Sequence, residues 1–254
     1  MNPRLKMLFV FGAFATALIA FVVVKKVIEG KPPAVSHSFV LGDISDSMPD
    51  GCSSLAALSK RAIESPDMQQ GSTVTVAVTG DDTTANEPKT LGTYPVPTSI
   101  KAVEGTKVLG QKRNELLEKI TGKCAGVSAL NKSSIFLGIK NGVEQLRSQN
   151  CNEKNRCSVF VKSDLQETAD KKIEAALSGN KAAMSHLPTP INNEGISITI
   201  CGIAETRGLV KEQDGKSRRM TQNRTGERSD LIRDVWGRLF TTPALVSFSA
   251  FCVE

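Results

Sequence analysis

The sequence predicts an α/β fold, a mostly parallel central sheet with helices on both faces. Three observations point there: short β-rich runs alternate with helical patterns, one late segment alternates cleanly in the strand period, and acidic and hydroxyl residues gather where strands end. The first strand is Ser38-Phe39-Val40-Leu41-Gly42, an apolar run that ends at Asp43. Leu55, Leu58 and Ala62 then recur at helical spacing as far as Pro66. Ser72 to Val78 is β-rich, and a long polar turn from Gly80-Asp81-Asp82 leads to Thr90-Leu91-Gly92-Thr93-Tyr94. That pair is expected as a hairpin at a sheet edge, where Pro95 and Pro97 are tolerated. Asn114 to Ile120 reads as a short helix.

Ile135, Ile139, Val143 and Leu146 fall on one helical face, with Ser133 and Ser134 at the N-cap. Ser158 to Lys162 is a strand ending at Ser163-Asp164, and Lys171 to Leu177 is the helix after it. From Gly195 to Gly202, Ile196, Ile198 and Ile200 alternate with Ser197, Thr199 and Cys201. Ile232, Val235, Trp236, Leu239 and Phe240 form an apolar stripe, which places Trp236 in the core. Val246 to Val253 is the last strand, and it carries Cys252 to where it can reach Cys201. No internal repeat is present. In such sheets ligands bind at the carboxyl ends of the strands, where Asp43 and Asp164 both fall.

The 254 residues suffice for one sizeable domain and a short appendage. Residues 7–24 carry no charge and approach the length needed to cross a ~30 Å hydrocarbon layer. With Arg4 and Lys6 ahead of them, residues 1–26 read as an N-terminal signal anchor or transmembrane helix. A cleaved signal peptide is the alternative, given Ala13, Ala15, Ala17 and Ala20, but Phe21-Val22-Val23-Val24 favours retention. Residues 27–37, with Gly30, Pro32 and Pro33, form a linker, and 38–254 the folded domain.

Six cysteines, with no Cys-x-x-Cys pair, argue for three disulfides and against zinc. Cys151 and Cys157, bracketing a short polar loop, are the most credible pair. Six free thiols in a cytosolic protein are the alternative; disulfides place the domain in the periplasm or at the cell exterior. The net charge is +6, and Arg207, Lys211, Lys216, Arg218, Arg219, Arg224 and Arg228 crowd residues 206–228, a basic loop insertion. No aromatic residue is interleaved there for base stacking, so a solvated or disordered loop is expected in place of a nucleic-acid site. His37 and His186 are too scattered for a histidine-based site and are expected to face solvent.

Asp43, Ser45 and Ser47 form an Asp-x-Ser-x-Ser cluster that offers three oxygens from one turn, a set suited to a hard divalent cation. Alone, it is also ordinary turn chemistry. Two later segments supply matching pieces, Ser133 ahead of a helix and Asp164 after a strand. With them, the chain from about Ser38 resembles a von Willebrand factor A (VWA) domain with its metal-ion-dependent adhesion site. Ser133 stands where the family has Thr and Leu165 where it usually has Gly, and a counterpart of the last family helix is not expected after Val253.

The resemblance implies a three-layer, Rossmann-like VWA fold with an antiparallel edge strand, and Mg²⁺, with Mn²⁺ or Ca²⁺ as alternatives, held by Asp43, Ser45, Ser47, Ser133 and Asp164. It also implies a partner protein whose carboxylate completes the coordination. Asp46, Asp50 and Ser134 border the same rim, and a Cys52–Cys124 bridge would stiffen it. The expected function is that of a membrane-anchored extracytoplasmic binding module. The alternative is a structural or assembly component that keeps the scaffold and a vestigial metal site. No enzyme is expected: a metal-dependent hydrolase using Asp43 and Asp164 would lack an Asp-x-Asp pair, a phosphate-binding loop and a Ser/His/Asp arrangement. The oligomeric state is not written in these patterns.

Overall fold

The computed structural model describes residues 35–44, 51–65, 68–69, 71–79, 88–96, 102–125, 133–152, 154–203, 205–211, 217–223, 227–249 and 252. Strand β1 (Val35–Asp43) lies at the centre, flanked by β2 (Thr73–Thr79) and β4 (Asn155–Lys162), both parallel to it. The edge strand β3 (Lys89–Pro95) runs antiparallel to β2, as the hairpin signal predicts. Beyond β4 come β5 (Ile196–Cys201) and β8 (Val246–Ser249), both parallel, giving the order β3-β2-β1-β4-β5-β8. This is the doubly wound, VWA-like arrangement that the sequence predicts, and its strand order reverses between β1 and β4.

β1 is buried on both faces, which is why it reads as a continuous apolar run. Phe39 and Leu41 face one core, packed with α3 (Ile135–Arg147), α4 (Lys171–Leu177) and α5 (Glu227–Gly237). Val40 faces the other, which α1 (Gly51–Ile63) and α2 (Ala102–Ala125) close with Leu55, Leu58, Leu116 and Ile120. α3 lies unusually close to β1 because it turns two glycines towards it. A Cβ on Gly142 would stand 2.4 Å from Phe39 Cδ1, and one on Gly138 2.8 Å from Leu41 Cδ2. This close approach carries the start of α3 to the end of β1.

Several expectations need correction. The short helix expected at Asn114–Ile120 is a 24-residue helix, α2; Gly105, Gly110 and Gly122 and a mostly charged face hide its length from a periodicity reading. The basic stretch expected as a loop forms an antiparallel hairpin, β6 (Glu205–Lys211) and β7 (Ser217–Asn223), because main-chain pairing does not need an apolar side-chain pattern. β1 starts at Val35, three residues ahead of the expected strand, and the last strand is described over Val246–Ser249, the rest of the expected Val246 to Val253 lying outside the described residues except Cys252. Trp236 is in the core, as expected. The expected anchor, residues 1–26, lies outside the described residues; among those, no helix is long and apolar enough to cross a membrane.

All three expected disulfides form. Cys52–Cys124 joins α1 to α2, Cys151–Cys157 closes the turn before β4, and Cys201–Cys252 ties the end of β5 to the segment after β8. Their presence agrees with an extracytoplasmic domain.

His186 is exposed as expected, but His37 is not: it lies within β1, only 6% exposed, with Nδ1 2.9 Å from Thr73 Oγ1. Burial holds its pKa below the ordinary 6.5. Between the depressed value and 6.5 the unfolded chain binds the extra proton, so this contribution to stability is complete above pH 6.5 and is lost as pH falls through the folded value. Urea melts across that range should show stability falling with acid in the wild type, with a shallower fall in His37→Gln.

Candidate functional site

The site lies at the carboxyl ends of β1, β2 and β4, where the strand order reverses. Asp43 is the last residue of β1 and is 1% exposed. Its Oδ1 accepts hydrogen bonds from Ser133 Oγ at 3.0 Å and from Thr79 Oγ1 at 3.3 Å, and its Oδ2 accepts one from Ser163 Oγ at 2.9 Å. Three buried hydroxyls from three segments thus converge on one carboxylate. Each hydroxyl gives its single proton to Asp43; Ser163 Oγ also accepts the Leu165 N–H, while the Ser133 and Thr79 oxygens present lone pairs to another electrophile. That donor chemistry fits a hard divalent cation, which takes neutral hydroxyl and carboxylate oxygens.

Asp164, two residues beyond β4, is fully buried, and its Oδ1 accepts the N–H of Gln166 at 3.0 Å. The next residue explains how the chain turns away without a glycine. Leu165 has φ +59°, a left-handed conformation that costs a non-glycine residue on the order of 1–3 kcal/mol. Three contacts hold it there. Its side chain is fully buried, its N–H donates to Ser163 Oγ at 2.9 Å, and its carbonyl accepts from Trp236 Nε1 at 3.1 Å. A chain of hydrogen bonds therefore runs from Trp236 through Leu165 and Ser163 to Asp43. A leucine here gains an apolar anchor in the core for the strain it carries.

Ser133 is positioned by the loop after Asp164. Its N–H donates to Thr168 Oγ1 at 2.7 Å, and its carbonyl accepts the N–H groups of Thr168 and Ala169 at 3.2 and 3.3 Å. Glu167 locks this loop to the helix: Oε2 accepts the Phe136 N–H at 2.8 Å, and Oε1 accepts the N–H groups of Ala169 and Asp170 at 2.9 and 3.1 Å. A carboxylate here satisfies a donor in the first turn of α3. Burial nevertheless raises the Glu167 pKa above its ordinary value, with the backbone donors opposing the shift. Ser134 takes the N-cap backbone position but makes no side-chain cap bond, and Ser133 uses its hydroxyl for Asp43.

Of the expected ligands, the structure brings Asp43 and Ser133 into direct contact and places Asp164 one residue from Ser163, which also bonds Asp43. Ser45 and Ser47, with the rim residues Asp46 and Asp50, lie outside the described residues. Thr79, Ser163 and Glu167 were not foreseen. Thr79 ends β2 and Ser163 directly follows β4, and only the sheet order reveals that both strands neighbour β1. Glu167 had no signal, because its role depends on a loop folding back on α3. No cluster of three or more His, Cys, Asp or Glu suited to a metal occurs among the described residues, so a cation here would depend on hydroxyl ligands.

The fold and this cluster together define a VWA-like α/β domain with a buried hydroxyl–carboxylate centre at its switch point. No family model matches the chain, and no curated protein matches it in sequence. Among solved structures it is similar to the conserved hypothetical protein BatB from Bacteroides thetaiotaomicron, at 16% identity and a TM-score of 0.42 over 86% of this chain and 91% of that one. An aerotolerance-related membrane protein from Bacteroides fragilis gives 15% identity and 0.42, covering 87% and 92%. The manganese-loaded TRAP protein of Plasmodium vivax gives 12% and 0.44, covering 85% and 68%. Likenesses this loose leave the reading of the site to its own geometry.

Proposed function

We propose that the chain is a membrane-anchored, extracytoplasmic binding module that recognises a partner protein through a divalent cation at the end of β1. The observation that carries this reading is the convergence of Ser133, Thr79 and Ser163 on Asp43, which leaves hydroxyl oxygens oriented by a buried carboxylate. Asp43, Ser133 and Asp164, with Ser45 and Ser47 of the same motif, would hold Mg²⁺, or Mn²⁺ or Ca²⁺ in its place. The bound cation would supply an electrophilic position for a carboxylate of the partner. With two acids among five protein ligands, the site stays short of negative charge, which favours capture of an anionic group.

A second reading has its own support. The same three hydroxyl bonds satisfy Asp43 without a metal, as a structural scaffold with a vestigial site would require. The two readings separate in one experiment. Immobilised full chain should capture an extracytoplasmic protein in Mg²⁺, release it on EDTA, and capture none as Asp43→Ala. Capture that survives both EDTA and the substitution would assign the chain to the scaffold reading. Catalysis is not proposed, since the described histidines, His37 in β1 and the exposed His186, are not joined to this cluster.

A further inference from the structure

Strands β4, β5 and β8 have two unlike faces. Ile196, Ile198 and Ile200 of β5, with Val159 and Val161 of β4, lie in the core under the helices. The opposite face carries hydroxyls, and the parallel register sets them in rows: Ser38 beside Ser158 beside Ser197, then Phe160 beside Thr199 beside Ser247. Ser158 Oγ lies 2.9 Å from Ser197 Oγ, and Ser247 Oγ donates to Thr199 Oγ1 at 3.2 Å. Ser197 and Ser247 are exposed, Ser158, Phe160 and Thr199 are half-buried and Ser38 is buried, so among the described residues the rows lie open towards β5 and β8 and closed at β1. Parallel strands are ordinarily covered on both faces.

A cavity of about 740 Å³ opens along this face, floored by Ser38, Ser158, Phe160 and Thr199 and walled by the end of α1 with Lys60 and Arg61. It shares no residue with the Asp43 cluster. The one acid on its wall, Glu64, is engaged by Arg113 at 3.0 Å, whereas the exposed Lys60 and Arg61 make no ion pair with a described residue. The groove therefore combines hydroxyls with an apolar lining from Leu58, Ala62, Phe160 and the Cys201–Cys252 bridge, and it carries a positive charge from Lys60 and Arg61.

We propose that this groove binds a short anionic saccharide, two or three sugar units bearing carboxylates. Ser and Thr hydroxyls both donate and accept, as sugar hydroxyls do. The Phe160 ring offers an apolar surface to the C–H face of a sugar ring, and Arg61 with Lys60 offers charge-assisted bonds to a carboxylate. The volume falls in the range of small-ligand sites, roughly 300–1,000 Å³. A docked helix would need an apolar seam along the floor, and Phe160 alone does not make one.

The test is calorimetric titration of the full chain with trigalacturonate and, in parallel, with neutral maltotriose. Trigalacturonate should bind saturably and more weakly at high salt, with maltotriose at least about tenfold weaker. Arg61→Gln should weaken trigalacturonate about tenfold, and Thr199→Val, which keeps the side-chain shape, should weaken it too. Circular dichroism would verify that both variants fold. Absence of saturable binding, equal binding of maltotriose, or undiminished binding by both variants would overturn the proposal. So would concentration-dependent dimerisation abolished by Thr199→Arg, which would give the face to a second copy.

Discussion

Trp236→Ala is expected to lower the stability of the domain by about 4 kcal/mol, read as the shift in the urea midpoint. The indole is fully buried in the larger core, against residues of α4 and β5, and truncation removes its transfer free energy while leaving a cavity. Its second role is at the site. The Nε1–H donates to the carbonyl of Leu165, which sits in the left-handed region and fixes Ser163 beneath Asp43. Trp236→Phe separates the two roles. It keeps most of the apolar volume and removes one of two hydrogen bonds to the Leu165 carbonyl, which still accepts the Glu167 N–H at 3.1 Å, for a smaller cost of about 1 kcal/mol. If Trp236→Ala and Trp236→Phe were equally mild, the indole would not be the anchor that its burial makes it.

Removing the Cys52–Cys124 bridge, as Cys52→Ala with Cys124→Ala, is expected to cost about 4 kcal/mol on the chain-entropy model for a separation of 72 residues. The same model gives about 2 kcal/mol for Cys151–Cys157, whose separation is 6. The ranking is thus the measurable content: equilibrium unfolding should find the long-range pair more costly to lose. The bridge also pins the first turn of α1, which begins eight residues after Asp43, to the last turn of α2. A reversed ranking would mean that local strain or residual structure, and not loop closure, governs these bridges.

The parts of this fold that were legible in the sequence are those whose burial is simple. β1 is buried on both faces and its Ser38 to Gly42 run reads as a strand; Ile196, Ile198 and Ile200 alternate with polar neighbours and read as a strand with one buried face. α3 shows its stripe because Ile135, Ile139, Val143 and Leu146 all face one sheet. α2 was not legible beyond one third of its length, since it packs through a few residues such as Leu116, Ile120 and Cys124 and exposes most of its other described side chains. The β6–β7 hairpin was missed because its pairing is made by the backbone and its side-chain pattern is dominated by charge.

The site divides in the same way. Asp43 and Asp164 were visible because they end strands, and Ser133 because it precedes a helical stripe. Thr79 and Ser163 are identical in kind to dozens of other hydroxyls until the sheet order sets β2 and β4 on either side of β1. The left-handed turn at Leu165 was hidden because its residue type argues against it. The packing of Leu165, its N–H bond to Ser163 and the bond from Trp236 together hold that conformation.

The most direct measurement is a Mg²⁺ titration of the full chain followed by thermal unfolding, with Asp43→Ala alongside. A cation held by Asp43 and its hydroxyls stabilises the folded state by about 2.7 kcal/mol at a hundred times its Kd, a shift of several degrees in Tm. The wild type should show that shift with saturation, and Asp43→Ala should show none. No shift in the wild type, or an equal shift in both, would contradict a cation site at the end of β1.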